Sequence, residues 1–143
     1  MERHPIKKQL RDNMVALISL VVAVSALLYT AWREETTEKN RTLRTAGFEV
    51  LENLGELQII TNHAAFAHDK EKGNPYEGWG RVLLISDLSE ILPEQVQEHT
   101  NKLHAVWSEN ANKIGTNEEA AVAVSQEIDE SRASILDSIR HLR

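Results

Sequence analysis

The sequence contains no cysteine among its 143 residues, which removes disulfides, thiolate metal sites, cysteine nucleophiles and protein-thiol redox chemistry together. An oxidising compartment is permitted but not required. Proline is almost as scarce: between Trp32 and Pro75 there is none, so nothing in that stretch forbids one long helix. Strand-like alternation is also missing. So are the signatures of catalysis: a phosphate-cradling glycine loop, a metalloprotease HExxH helix and a serine elbow are all absent. The carboxylate pairs Glu118-Glu119 and Asp129-Glu130 are adjacent along a helix rather than facing one another, as on a solvated surface. Neither an enzyme activity nor a cofactor is expected.

The tail at the start of the chain is net positive and the remainder net negative. Arg3, Lys7, Lys8 and Arg11 stand against Glu2 and Asp12 in residues 1–13, whereas residues 33–143 carry a formal −8 of the chain's net −6. Nucleic-acid affinity comes mainly from Lys and Arg displacing counterions, so an acidic domain of this kind excludes nucleic acid as a partner.

What is present begins with Met14–Trp32, a run of 19 residues without a charge. That length suits a hydrocarbon core of about 30 Å. Ser19, Ser25 and Thr30 are compatible with insertion because their hydroxyls can bond to their own helix backbone. Tyr29 and Trp32 mark the membrane interface, where amphipathic rings favour the headgroup level. A cleaved signal is the rival reading, with Val24-Ser25-Ala26 as a loose cleavage pattern, but the apolar run continues beyond it to Trp32. The expectation is a retained signal-anchor in a bacterial cell inner membrane. The expected order is a short basic cytoplasmic tail at 1–13, a transmembrane helix at 14–32 and a periplasmic helical domain at 33–143.

The expected fold class is all-α. The membrane helix should continue through residues 33–71, with Leu43, Gly47, Val50, Leu54, Leu57, Thr61 and Ala64 on one face. Lys72-Gly73-Asn74-Pro75 should end it, glycine taking the left-handed position and Asn74 capping the next helix before Pro75. A second helix over Pro75–Leu92 would face inward through Trp79, Val82, Leu83, Ser86 and Ser89. Pro93 then gives either a boundary or a kink. A third helix reaches about Asn112 through Val96, Leu103, Val106 and Trp107. Thr116 and Glu119 have capping-box spacing ahead of a last helix striped by Ala121, Val124, Ile128, Ile135, Ile139 and Leu142. Short connections imply an antiparallel four-helix bundle, or a three-helix one if Pro93 only kinks a single helix.

Candidate binding residues are few. His63 and His68, like His99 and His104, lie five apart and do not share a helix face as metal ligands would, so no metal site is expected. Asn40-Arg41-Thr42 is a glycosylation sequon, discounted because it lies within a helix close to the span. Gly78 and Gly80 flank Trp79 inside the second helix, where each glycine costs about 1 kcal/mol relative to alanine. With Tyr76 they suggest a pocket or a surface for a close partner helix, set against simple intramolecular packing. Gly55, eight residues after Gly47, poses the same choice, with a second copy of the chain as one candidate neighbour.

The function these features favour is non-enzymatic: a membrane-anchored interaction protein, serving as scaffold, accessory subunit or assembly factor of an envelope complex. Its expected partners are the lipid bilayer and another membrane or envelope protein, with homo-oligomerisation as a further option. The alternative is an extracytoplasmic helical bundle that senses a ligand and acts through a partner.

Overall fold

The computed structural model of the protein describes residues 13–142, and the basic tail residues Arg3, Lys7, Lys8 and Arg11 lie outside that range. Among the described residues the regular structure is entirely helical: α1 (Met14–Asn62), a π-helical turn (His63–Ala67), α2 (Pro75–Ser89), α3 (Glu94–Asn110) and α4 (Glu118–His141). The chain divides into two compact units, 1–39 and 40–143, with the boundary inside α1.

In the first unit every residue from Asn13 to Lys39 is exposed. Ser19 donates to the Val15 carbonyl at 2.8 Å and Thr30 to that of Ala26 at 2.9 Å, so these hydroxyls are satisfied within the helix. The helix is long and apolar enough to cross a membrane by length and composition.

The second unit is an antiparallel bundle. Opposed residues along α1 and α4 run in opposite directions: Arg44 Nη2 donates to the Leu142 carbonyl at 2.9 Å, Gly47 abuts Ile139, and Gln58 Nε2 donates to Ser125 Oγ at 3.0 Å. The other sequential pairs have the same sense: Ala64 against Gly73 and Asn53 with Arg81, Gly78 against Trp107 and Trp79 with His104, and Lys102 with Glu127 and His99 with Glu130. The core is assembled from Val50, Leu54 and Leu57 of α1, Val82 and Ile85 of α2, Val96, Leu103 and Trp107 of α3, and Val124, Ile128 and Ile135 of α4. The expected α1 and α4 stripes are therefore the ones that pack.

The Pro93 junction is a true boundary, so the three-helix arrangement does not form. α2 stops at Ser89, not Leu92, and α3 starts afresh at Glu94. The Gln97 amide secures the break by donating to the carbonyls of Glu90 at 3.1 Å and Leu92 at 2.8 Å, two acceptors left over by the end of a helix.

Three local expectations are corrected. First, α1 ends at Asn62 and passes into the π-turn, and the left-handed residue is His68 (φ 50°), while no described glycine has positive φ. Gly73 is needed for a different reason: a Cβ there would collide with the Ala64 backbone, and that close approach seats the turn against the end of α1. Second, α2 buries Gly78, Val82, Ile85 and Ser89, leaving Leu83 exposed. Third, α4 is capped by Asn117, whose Oδ1 accepts from the backbone N–H of Glu119 at 2.8 Å and of Ala120 at 3.3 Å. Thr116 instead turns its hydroxyl back to the Lys113 carbonyl. Asn74 and Pro75 open α2 as expected, Asn74 accepting from the Tyr76 N–H at 3.0 Å.

Candidate interaction surfaces

Burial separates the sequence-derived candidates into two kinds. Gly78 is buried, and a methyl group there would overlap the six-membered ring of Trp107; its missing side chain lets the indole lie against α2. It is a packing residue. Trp79, half-buried beside it, meets the His104 ring edge-on at 5.5 Å, which joins α2 to α3 on the outside of the core. Gly80 and Gly55 differ from Gly78: a Cβ on either would meet nothing within 4 Å. Tyr76 is 85% exposed. Tyr76, Gly80 and Leu83 are thus exposed on α2, apart from the buried Gly78 edge of the same helix. Tyr29 and Trp32 lie exposed on α1, ring centroids 6.2 Å apart and tilted by 47°.

Sequence reasoning missed a larger feature. An open groove of about 960 Å³ runs along the outer side of α4, bounded by the end of α1, the π-turn and the loop before α4. Its apolar floor includes Ala65, Phe66, Ile114, Ala121, Val122 and Ala133. Phe66, 76% exposed, is carried on the π-turn, a widened turn that recurs at functional positions in helices. Phe48 and Ile59 are also exposed on α1, and Leu136 continues the apolar strip on α4. A signal was present: Phe48, Gly55, Ile59 and Phe66 recur at helical spacing, a second stripe beside the buried one.

The groove carries the carboxylates Glu118, Asp129 and Glu130, and neither lysine nor arginine lines it. Glu130 lies at its edge, where it receives hydrogen bonds from Gln126 Nε2 at 3.0 Å and Lys102 Nζ at 3.3 Å. Those bonds, Gln126 first and Lys102 second, hold its carboxyl below the usual range. Lys102 also meets the buried Glu127 at 2.8 Å, and hydrogen bonding to Glu127 and then Glu130 raises the lysine pKa above its ordinary value. His99 stands 3.9 Å from Glu130. This cluster ties α3 to α4. Among the described residues, no three histidine, aspartate or glutamate side chains gather as a metal-ligand set.

An all-helical protein with four helices, one beginning in a fully exposed apolar segment and three continuing a bundle with an acidic-rimmed groove, is the class these features define. The chain matches no protein-family model, no curated protein and no solved structure, so its function is argued from its own residues.

Proposed function

We propose that the protein is a membrane-anchored, non-enzymatic interaction module: a scaffold, accessory subunit or assembly factor for an envelope membrane protein. The observation that carries this reading is the wholly exposed apolar segment of α1, Met14–Trp32, which requires a cover that the chain itself does not supply. A bilayer supplies it. In this reading the Arg3, Lys7, Lys8 and Arg11 end is cytoplasmic and the acidic bundle lies outside a bacterial inner membrane; the support is that the tail is net positive, whereas Glu34, Glu35 and Glu38 offset the bases that follow the span. Tyr29 and Trp32 then lie at the outer headgroup level.

Interaction, as the bundle's role, is supported by the apolar strip spread over Phe48, Ile59, Phe66, Val122 and Leu136. A partly open groove suits a polypeptide better than a small ligand, which is usually enclosed, and this favours interaction over ligand sensing. Purification in mild detergent tests the proposal: a discrete protein should accompany the chain in reproducible stoichiometry. Repeated recovery of the isolated monomer would sink it.

A further inference from the structure

The geometry points to the groove beside α4 as the seat of a cationic amphipathic helix supplied by a partner polypeptide. The inference rests on the interaction-module reading and adds the partner's chemistry. Residues 118–133 of α4 span roughly 22 Å at helical rise, room for about four turns of an apposed helix. Small residues on the floor, Ala65, Ala121 and Ala133, allow a helix axis to come close, while Phe66 and Val122 offer apolar contact to residues spaced i, i+3, i+4 and i+7.

Charge selects the occupant. Glu118 and Asp129 form no ion pair among the described residues, and no Lys or Arg lines the groove to neutralise them. Residues 40–143 hold 17 Asp and Glu against 10 Lys and Arg, so a second copy would approach with the same sign of charge. Anionic lipid headgroups are repelled likewise. A helix whose apolar stripe is flanked by Lys or Arg matches both the floor and the rim.

The test uses the full chain in nanodiscs of zwitterionic lipid, with a photoreactive residue replacing Val122 and, as a control, Asn101 on the exposed side of α3. The probes are model helices of about 16 residues built from leucine and lysine, and the same helices with glutamate for lysine. The lysine helix should crosslink at Val122 and not at Asn101. Adduct should fall by about tenfold or more with the glutamate helix, with Glu118→Lys/Asp129→Lys, and with added salt. Equal labelling by both helices, no adduct at Val122, or a crosslink joining two copies of the chain would overturn the inference. Circular dichroism of the charge variant, altered only at exposed positions, checks that its fold is kept. Co-purification separates the two levels: a natural partner retained by Glu118→Lys/Asp129→Lys removes the groove inference alone, whereas no partner for the native chain removes the interaction reading beneath it.

Discussion

At Gly78 a single added carbon would fall on the Trp107 indole, while at Gly55 and Gly80 it would meet open space. The three glycines therefore respond oppositely to one substitution. Gly78→Ala should lower stability by about 1–3 kcal/mol through overpacking, read as a shifted midpoint in urea unfolding. Gly55→Ala and Gly80→Ala should each leave stability unchanged or raise it by up to about 1 kcal/mol, because alanine is the better helix former. Loss of partner association in the more stable Gly55→Ala protein would mark Gly55 as a docking position. Burial without bonding gives a second expectation. Ser131 is fully buried, and among the described residues its Oγ finds no hydrogen-bond partner; Ser131→Ala should be neutral or stabilising by up to about 1 kcal/mol. Titration acts at the same scale. The Asp69 carboxyl accepts N–H bonds from Lys72 and Glu71, of which the Lys72 bond is the larger influence, and it too lies below the usual range. Asp69 and Glu130 thus stabilise the fold fully above the ordinary carboxylate pKa, and that contribution is lost as pH falls through their lowered folded values. Lys102 runs the other way: its contribution is complete below 10.5 and disappears as pH rises through its raised folded value. Thermal melts across pH should show a shallower acid limb for Glu130→Gln, and Lys102→Met should melt lower than the native chain at neutral pH because the buried Glu127 loses its ammonium partner.

Helix ends show where sequence patterns carry information and where they stop. Asn117→Ala should cost about 1 kcal/mol, more than Thr116→Ala, since Asn117 satisfies two N–H donors at the start of α4 and Thr116 satisfies none of them. A capping-box pattern placed that role one residue early, and only backbone geometry separates the neighbours. The heptad-like stripe of α1 was legible because Val50, Leu54 and Leu57 carry their burial in their chemistry. α2 was harder. Of the expected face Trp79, Val82, Leu83, Ser86 and Ser89, only Val82 and Ser89 are fully buried, and Gly78 and Ile85 complete the packed face; a glycine has no hydrophobic signal, and its burial depends on a tryptophan nearly thirty residues away. The π-turn and the left-handed His68 left no mark in composition either. The second apolar stripe through Phe48, Ile59 and Phe66 was legible, but not the groove itself, which arises where α4 lies beside the distorted end of α1.

For the whole molecule, the bundle and the exposed apolar segment make separate demands. The bundle encloses its own core, with Trp107 and Leu103 fully buried, and Leu103→Ala should cost about 2–5 kcal/mol by opening a cavity there. The segment Met14–Trp32 has no such enclosure; it is long and apolar enough to cross a membrane, which is the cover proposed for it. The most direct measurement is the mass of the chain recovered after alkaline carbonate extraction of membranes. Full-length chain in the membrane pellet, with the segment from Met14 to Trp32 intact, is the expected result. A shortened chain in the soluble fraction, beginning at about Leu27, would instead show a leader cleaved after Ala26 and contradict the anchor on which the proposed function stands.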